Sequence, residues 1–599
     1  MNPKNTLTWL VVAVALFAFI FVYDHFLRPT ATPPAAILSG LQPAAVTSVQ
    51  VIPAGALEIQ AERTNGAWRL TKPVVYPAQA AVVETLLAAL QKLTPAIRLS
   101  AGELREQRNA EMDYGFEPPR LSLVMEGADG QRWQLQVGNK TAPGDQVFLR
   151  VVGTDGAFVA DADWLKYLPR SADDWRDTAL VDFNGNMPDS IILTNGTKVI
   201  ELYEDASNHL WRMTRPLVAR ADSAEITEAL QGLQTARAAQ FIPDHSPDLA
   251  SFGLQPASLD LWLGRGTNFV TALHVGNSLT NDSSLVYAQR QGWSTILATA
   301  REPLSPWFGP VNSFRDPYLF ELSAPVAEIE VRGGTNFSSF TLERQGTNGW
   351  RLAGEKFPVD AGSVQQFIRI LAGLRVSEFV KDVVTAPDLP AYGLAAPARR
   401  ITLFSATGNT NAVIAQLLFG AAQTNEVFVR RADEDSVYAI PLEDFGQLPD
   451  AGWQLRERRI WNFSENDVAQ ITIHQDGKSR QIVHNGPNQW SLAPGSQGII
   501  VPAAIEETAH RFGELAAAAW LARNLTNAAD YGFQPGNLSV TLELKNGVKD
   551  TVDFGKSGTQ TAIAAVALDG ERWAIVFPPA LYPLVLDCLT IPVPQSGIP

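Results

Sequence analysis

Two short motifs recur four times along the chain, in the same order and about 140 residues apart. The first places a tryptophan two residues before an apolar residue, at Trp68, Trp211, Trp350 and Trp490. The second joins an aromatic residue to a glycine, with an apolar residue and then a proline soon after, at Tyr114-Gly115, Phe252-Gly253, Tyr392-Gly393 and Tyr531-Gly532. Because glycine can take a positive φ where a short helical turn ends, we expect positive φ at these four glycines. Because two independent motifs keep one order, the sequence predicts four tandem copies of one structural unit.

Each unit follows one order of predicted elements. Alternating apolar and polar residues, as in 121–124, predict β-strands, and a glycine ends a further strand at Gly138, Gly276, Gly420 and Gly555. Apolar residues at helical spacing, as in 364–374, predict one amphipathic helix, with capping patterns at Asp222 to Glu225 and Ser363 to Gln366. Strands, then a helix, then strands indicate an α+β fold in which each repeat is an antiparallel sheet with a packed helix.

Three repeats close with an arginine followed by an acidic residue, at Arg176-Asp177, Arg315-Asp316 and Arg456-Glu457. The fourth lacks this pair and ends in a proline-rich segment, as a terminal repeat often differs from the others. We therefore expect a cytoplasmic tip and anchor, a proline-rich spacer and four repeats, at 1–26, 27–45, 46–183, 184–322, 323–463 and 464–599.

An uncharged apolar stretch, Leu7 to Tyr23, precedes the repeats. As a helix it would be roughly 25 Å long, at the short end of what spans a bilayer. A cleavable secretory signal is the alternative, but no small-residue cleavage site follows at 24–29. We expect a retained single-pass transmembrane helix. Lys4 on the short side favours a cytoplasmic N-terminus, with the repeats across the membrane.

Charge and composition exclude several kinds of site. A net charge of -15 argues against nucleic acid and acidic lipid, since both attract clustered Lys and Arg. The single cysteine, Cys588, excludes a Cys-rich zinc site, and the histidines do not form the helical His-Glu-x-x-His pattern. Gly555-Lys556-Ser557 resembles the tail of a phosphate-binding loop, but Asp550 stands where that loop needs its first glycine. We predict no metal, cofactor, nucleotide or catalytic residue.

The tryptophans admit two interpretations. Trp68, Trp211, Trp350 and Trp490 share one position beside a predicted strand, which favours packing in the core. Aromatic faces also bind sugars and peptides, so a ligand surface is the alternative. Trp293, Trp307, Trp461 and Trp573 are less tied to the repeat pattern, and their role stays open.

The chain resembles a bacterial family catalogued as domain of unknown function 4340. Five features together carry the resemblance: the N-terminal apolar segment, the tryptophan motif, the aromatic-glycine motif as at Tyr392-Gly393, the strand end as at Val137-Gly138 and the closure as at Arg315-Asp316. The resemblance covers essentially all of the chain after the spacer. Members of that family are usually encoded beside an ABC transporter permease, its ATPase and a gliding-motility-type auxiliary protein. The resemblance implies an envelope protein that works with such a transporter, and it supplies no functional residues.

The sequence thus favours a non-catalytic scaffold or accessory subunit of an ABC transport system, anchored in the bacterial inner membrane with its bulk in the periplasm. Its expected partners are the membrane and a transporter permease or auxiliary protein. The first alternative is a periplasmic module that binds cell-wall or exported polysaccharide. The second is a hydrolase, although no constellation of polar residues in the sequence supports one.

Overall fold

The computed structural model describes residues 3–22, 35–183, 185–243, 248–334, 337–407, 410–558 and 561–591. The chain divides into two units, Met1–Arg315 and Asp316–Pro599. Within the described residues, the strands form four antiparallel sheets, and each unit contains two of them. Sheets 1 and 2 belong to the first unit, and sheets 3 and 4 belong to the second.

The first unit contains helices and two nine-stranded sheets within its described residues. Its helices are α1 (Pro3–Val22), α2 (Ala80–Gln91), α3 (Ala101–Glu106), α4 (Ala110–Asp113) and α5 (Ser223–Thr235). The strands of sheet 1 are β1 (Val46–Pro53), β2 (Ile59–Thr64), β3 (Ala67–Lys72), β4 (Tyr76–Pro77), β5 (Ile97–Leu99), β6 (Leu121–Gly127), β7 (Arg132–Lys140), β8 (Gln146–Val151) and β9 (Ala157–Asp161). Those of sheet 2 are β10 (Ser190–Asn195), β11 (Lys198–Asp205), β12 (Leu210–Arg215), β13 (Ala219–Arg220), β14 (Ala238–Phe241), β15 (Leu259–Arg265), β16 (Asn268–Ser278), β17 (Leu285–Arg290) and β18 (Ile296–Ala300).

The second unit repeats this plan with eight strands in each sheet, again counting described residues. Its helices are α6 (Ala361–Gly373), α7 (Leu442–Gly446), α8 (Pro502–Gly513) and α9 (Tyr582–Cys588). Sheet 3 contains β19 (Val326–Gly333), β20 (Phe340–Gln345), β21 (Gly349–Leu352), β22 (Glu378–Lys381), β23 (Arg399–Thr407), β24 (Thr410–Gln423), β25 (Glu426–Arg431) and β26 (Val437–Pro441). Sheet 4 contains β27 (Val468–Gln475), β28 (Lys478–Gly486), β29 (Gln489–Leu492), β30 (Ala519–Ala522), β31 (Ser539–Leu544), β32 (Lys549–Ser557), β33 (Ala562–Leu568) and β34 (Glu571–Val576).

Apart from the short edge strands β4 and β13 of sheets 1 and 2, the described strands of all four sheets share one order. In sheet 1 a meander of β3, β2 and β1 continues through β6, β7, β8 and β9, and β5, which follows the helix, joins the far edge beside β9. The corresponding strands β14, β22 and β30 take the same place beside β18, β26 and β34. The α+β class, the antiparallel sheets and the repeated architecture are therefore confirmed.

One helix packs on each sheet through the same four positions. Buried residues of α2, α5, α6 and α8 fall at i, i+3, i+4 and i+7, which places them on one helical face, and α8 adds Gly513 at i+8. They are Val83, Leu86, Leu87 and Leu90; Ile226, Ala229, Leu230 and Leu233; Val364, Phe367, Ile368 and Leu371; and Ile505, Thr508, Ala509 and Phe512. Each face lies against one side of its sheet and forms that repeat's core.

The start of the helix differs from the prediction in the third repeat. In α5 Asp222 is the N-cap, as the capping pattern indicated, and its side chain accepts a hydrogen bond from the backbone N–H of Glu225 at 3.1 Å. In α6 the N-cap is Asp360, whose Oδ1 accepts from the backbone N–H groups of Gly362 and Ser363. Ser363 therefore lies within the first turn, because an aspartate three residues earlier already satisfies the free backbone donors.

The N-terminal region combines an apolar helix with a segment packed on sheet 1. The apolar side chains described in α1 are exposed, Phe17 for example by 71%. No helix among the described residues has both the length and the apolar character that crossing a membrane requires. Within the predicted spacer, Ile37, Leu38 and Leu41 are buried in the core of sheet 1. Tyr23, residues 27–34 and residues 592–599 lie outside the described residues.

Candidate functional site

The two glycine motifs of each repeat meet in space. In the first repeat, Gly115 follows α4, and Gly138 lies within β7. The carbonyl oxygen of Tyr114 accepts a hydrogen bond from the backbone N–H of Asn139 at 2.7 Å. A Cβ on Gly138 would lie 2.0 Å from that same oxygen, so no side chain fits at this position. We call this contact the glycine junction.

The glycine junction recurs in every repeat. The distance from the added Cβ to the facing carbonyl oxygen is 2.1 Å for Gly276 and Phe252, 2.2 Å for Gly420 and Tyr392, and 2.5 Å for Gly555 and Tyr531. At each of these strand glycines the pairing register shifts, which marks a β-bulge. Gly555-Lys556-Ser557 is thus part of a bulged strand and not of a phosphate-binding loop.

The other glycine of each junction has left-handed backbone geometry. Gly115, Gly253, Gly393 and Gly532 have φ angles of 76°, 67°, 66° and 77°, which confirms the positive φ expected where a short turn ends. A Cβ there would collide with the residue that follows the strand glycine, namely Asn139, Asn277, Ala421 or Lys556. Both glycines are therefore needed for the turn to lie on the bulged strand.

The aromatic residue of the junction packs on the neighbouring strand. Ring centroids of Tyr114 and Phe148 are 4.4 Å apart, those of Phe252 and Tyr287 are 4.8 Å apart, and those of Tyr392 and Phe428 are 5.1 Å apart. The second motif is therefore accounted for by packing and backbone contact.

The tryptophans of the first motif are buried. They lie on the equivalent strands β3, β12, β21 and β29, within the core of each repeat: Trp68, Trp211, Trp350 and Trp490. Of the four whose role the sequence leaves open, Trp307, Trp461 and Trp573 are also buried. Trp293 is partly exposed, and it lies against Tyr76 of the preceding repeat with ring centroids 5.6 Å apart.

The arginine-acid closure of the first repeat connects sheets 1 and 2. Arg176 forms a backbone bridge with Ala78, and Ala179 forms one with Arg237. The side chain of Asp177 accepts a hydrogen bond from Arg290 Nη1 at 2.9 Å. The segment Arg176 to Ala179 is therefore a connector: its first residue pairs beside β4 of sheet 1, and its last residue pairs beside β14 of sheet 2.

The corresponding connector in the second unit joins sheets 3 and 4. Arg456 bridges Val359, and Arg459 bridges Ala516. The Arg456 guanidinium lies 4.8 Å from the ring centroid of Trp573 and 5.0 Å from that of Phe357. It also pairs with Asp569 at 2.7 Å. The closure motif is therefore a connector that carries an arginine into an aromatic cage.

A second arginine spans the same pair of sheets. Arg523 forms ion pairs with Glu571 at 2.7 Å and with Glu355 at 2.5 Å. Hydrogen bonds to these two carboxylates raise the pKa of Arg523 above its usual range, so it stays charged at any physiological pH. Sequence reasoning missed this bridge because its carboxylates lie in distant parts of the chain.

A cleft of about 280 Å³ opens beside the glycine junction of the fourth repeat. Arg572 Nη2 donates a hydrogen bond to Asp553 Oδ2 at 2.7 Å, and Ser539 Oγ donates to Asp553 Oδ1 at 2.9 Å. The guanidinium lies 5.5 Å from the ring centroid of Phe533. The lining residues are Ala528, Phe533, Gln534, Pro535, Asn537, Leu538, Ser539, Asp553, Phe554 and Arg572. This lining suits a small polar ligand, and it includes no histidine or cysteine that could act as a base or nucleophile beside Ser539.

Burial shifts the pKa of three further groups in the second unit. Desolvation lowers the pKa of Arg399 to about 10 and raises the pKa of Asp550. It also raises the pKa of the Cys588 thiol, which makes that thiol less reactive. Among the described residues, no group of three or more His, Cys, Asp or Glu side chains is placed to hold a metal ion.

Four sheets of one strand order, with a glycine junction in each, define a tandem-repeat α+β protein whose recurring motifs are structural. The chain belongs to the family described as Domain of unknown function (DUF4340), whose model matches residues 68–208, 211–352 and 350–536. No curated protein matches it.

One solved structure aligned with this chain is described as a candidate DNA polymerase III beta subunit from Eubacterium rectale. It is 7% identical, the alignment covers 68% of this chain and 93% of that chain, and the TM-score is 0.12. A likeness this weak carries no argument about fold or function.

Proposed function

We propose that the chain is a non-catalytic protein held in the bacterial inner membrane by the apolar segment 7–23. Its N-terminus lies in the cytoplasm, and its four repeats form a periplasmic scaffold or accessory subunit of an ABC transport system. The observation that carries the proposal is the row of exposed apolar side chains on α1, ahead of repeats whose shared motifs have structural roles.

The exposed side chains of α1 support the anchor. From Trp9 onward, where the structure describes the side chains, they surround the helix and include no charged residue: Trp9, Val11, Val12, Val14, Leu16, Phe17, Phe19, Ile20, Phe21 and Val22. In water such a surface is unfavourable, and within lipid it is favourable. The predicted span 7–23 runs one residue past α1, to Tyr23, which lies outside the described residues.

The repeat motifs support the non-catalytic part of the proposal. The recurring tryptophans lie in the cores, the recurring glycines lie at the junctions, and the closures of the first and third repeats connect neighbouring sheets. Residues that recur for structural reasons are expected in an array that presents surfaces to partners. The transporter as partner rests on the family resemblance alone.

Membrane fractionation tests the anchor. The full chain should stay in the membrane pellet after a carbonate wash, and protease added to the periplasmic side should digest the repeats. A matched control replaces residues 1–34 with a cleavable secretory signal, and this form should be released. Recovery of the native chain in the soluble fraction would overturn the anchor, and protection of the repeats from periplasmic protease would overturn the orientation.

The cleft of the fourth repeat favours a second candidate function, the binding of an envelope polysaccharide. Its paired Arg572 and Asp553, beside the ring of Phe533, offer hydrogen bonds and an aromatic face to a sugar. Titrating the full chain with an N-acetylglucosamine trisaccharide tests this. Binding that Asp553→Asn abolishes would support the candidate, and absence of saturable binding would remove it for this class of glycan.

A further inference from the structure

The cleft of the fourth repeat has a filled counterpart in the first repeat. There the Arg150 guanidinium lies 4.8 Å from the ring centroid of Phe116, the residue that follows the junction glycine. Arg150 Nε donates a hydrogen bond to Gln136 Oε1 at 2.8 Å, and Arg150 Nη1 pairs with Glu111 Oε2 at 2.5 Å. Phe116 is only 2% exposed, so this arrangement is closed over the ring.

Positions counted from the junction glycines identify the same arrangement in the fourth repeat. Its guanidinium comes from another strand, since Arg572 lies on β34 whereas Arg150 lies on β8. It nevertheless lies 5.5 Å from the ring centroid of the equivalent phenylalanine, and it bonds to the residue two positions before the strand glycine, as in the first repeat. The equivalent residues are Glu111 and Ala528, Phe116 and Phe533, and Gln136 and Asp553.

The two arrangements differ in volume and not in charge. Each contains one arginine and one acidic residue, but the acidic residue is Glu111 in the first repeat and Asp553 in the fourth. The position of Glu111 is taken in the fourth repeat by Ala528, which lines the cleft. The cleft therefore includes the space that a glutamate side chain fills in the first repeat.

The charged pair of the cleft can bond to both an acceptor and a donor. Among the described residues, the Arg572 guanidinium bonds only to Asp553, through Nη2, so its other N–H groups can donate to a ligand. Asp553 accepts one bond on each oxygen, from Arg572 and from Ser539, and an ionised carboxylate has about four acceptor sites. Because Asp553 already balances the charge of Arg572, it would repel a second carboxylate in the cleft. A neutral ligand is therefore favoured.

The strands around the cleft disfavour a peptide as the ligand. Peptides commonly bind by adding a strand to the free edge of a sheet. The strands that line the cleft, β31, β32 and β34, are each hydrogen-bonded to a neighbouring strand on both sides, so they present no free edge. The walls of the cleft are fixed, because Asn537 Nδ2 donates to the carbonyl oxygens of Gly532 and Phe554 at 2.8 Å and 3.1 Å. The ligand must therefore be recognised by side chains.

We propose that the cleft of the fourth repeat binds a neutral sugar residue of a glycan in the space that Glu111 fills in the first repeat. One hydroxyl group accepts a hydrogen bond from Arg572, and a neighbouring hydroxyl group donates one to Asp553. The ring of Phe533, which is only partly buried, packs against the apolar face of the sugar. This inference rests on the second candidate function, the binding of an envelope polysaccharide. It adds the neutral class of sugar, and it assigns to Ala528 the role of keeping the cleft open.

Filling the cleft from within the chain tests the inference. Ala528→Gln adds a neutral side chain as long as that of Glu111, with an oxygen that can accept from Arg572 and a nitrogen that can donate to Asp553. Ala529→Gln makes the same change at the next residue, which is exposed and does not line the cleft, and serves as the matched control. Both variants are made in the full chain.

Isothermal titration calorimetry measures the affinities. Methyl-esterified trigalacturonate is the neutral probe, and trigalacturonate is the acidic probe with the same sugar. We expect the ester to bind at least tenfold more tightly than the acid. Ala528→Gln should lower the affinity for the ester at least tenfold, whereas Ala529→Gln should leave it unchanged. Hydrogen exchange in β31 and β32 should be the same in both variants. If Ala528→Gln alters it, Arg572→Met takes its place and should cause the same loss, because it removes the donors and keeps much of the apolar stem.

Several outcomes would overturn the inference. Equal affinities for the ester and the acid would refute the neutral class, and equal or tighter binding of N-acetyl-trialanine amide would refute the sugar. Ester binding that Asp553→Asn abolishes but Ala528→Gln leaves unchanged would overturn this inference and leave the polysaccharide candidate in place. Absence of saturable binding for both forms of trigalacturonate and for the N-acetylglucosamine trisaccharide would remove both.

Discussion

The carbonyl oxygen of Tyr392 lies so close to Gly420 that a Cβ on Gly420 would come within 2.2 Å of it. Tyr392 ends a short turn at Leu389–Tyr392, and Gly420 lies at the bulge of β24. Two motifs that are separate in the sequence are therefore two sides of one contact. This contact, and the others that hold the repeats together, can each be tested by substitution or truncation.

Gly420→Ala should destabilise the third repeat by about 1–3 kcal/mol, the usual cost of overpacking a close contact. The added methyl group would meet the Tyr392 carbonyl oxygen and the side chain of Leu394, at 3.0 Å from Leu394 Cγ. Hydrogen exchange in β23 and β24 of the full chain measures the effect. Gly373→Ala, where a Cβ meets nothing within 4 Å, is the matched control and should be neutral or slightly stabilising. Equal protection in the two variants would contradict this prediction.

Arg456→Met should weaken the contact between sheets 3 and 4 by about 1–2 kcal/mol, because the methionine keeps the apolar stem but loses the cation inside the aromatic cage. Asp569 is 70% exposed, so its ion pair contributes little of this. Faster hydrogen exchange in β30 would report the change. Arg511→Met removes an exposed ion pair on α8 and should have almost no effect. The prediction fails if the two variants behave alike.

Tyr76→Phe should make the first unit more resistant to alkali. Tyr76 is fully buried against Phe241 and Trp293, and burial raises the pKa of its phenol. The folded state therefore favours the neutral form. The stabilising effect of the buried, neutral phenol is complete below the pKa of tyrosine in the unfolded chain, about 10. It is lost as the pH rises through the higher pKa of Tyr76 in the folded chain.

Unfolding by denaturant at a series of alkaline pH values measures how the free energy of unfolding of the two chains depends on pH. The wild-type chain should lose stability more steeply than Tyr76→Phe above about pH 10. Tyr203→Phe, at a partly exposed position of the same unit, should follow the wild type. Identical pH profiles for the wild type and Tyr76→Phe would show that the Tyr76 phenol does not contribute to the loss of stability in alkali.

Removing residues 1–45 should destabilise sheet 1, whereas removing 1–34 should not. The shorter deletion keeps Ile37, Leu38 and Leu41 in the core, and it keeps the hydrogen bond from Ile37 N–H to the Leu93 carbonyl oxygen at 2.8 Å. Losing three buried apolar side chains costs several kcal/mol, at about 1.5–3 kcal/mol each. Limited proteolysis of both secreted forms measures the difference. Equal resistance would mean that 35–45 acts only as a spacer.

Local patterns in the sequence predicted the parts of the fold that depend on neighbouring residues. The spacing of Val364, Phe367, Ile368 and Leu371 predicted a helix and its buried face, because helical periodicity is a property of adjacent turns. The positive φ of Gly393 was predicted for the same reason. Even here Asp360 caps α6 in place of the predicted Ser363, since several residues within one turn compete to satisfy the same donors.

Contacts between distant segments could be known only from the tertiary structure. The motifs showed that Gly115 and Gly138 recur, but not that the turn ending at Gly115 lies on the strand that contains Gly138. The arginine-acid pair marked a boundary, but not that Arg456 enters a cage formed by Phe357 and Trp573.

The sequence by itself determined the number of repeats, the order of their elements and the face each helix buries, because these depend on periodicity and composition over short stretches of chain. Only the tertiary structure decided the strand order, the glycine junctions and the connectors between sheets. Strand pairing and burial depend on which distant segments meet, and residue types alone do not specify those partners.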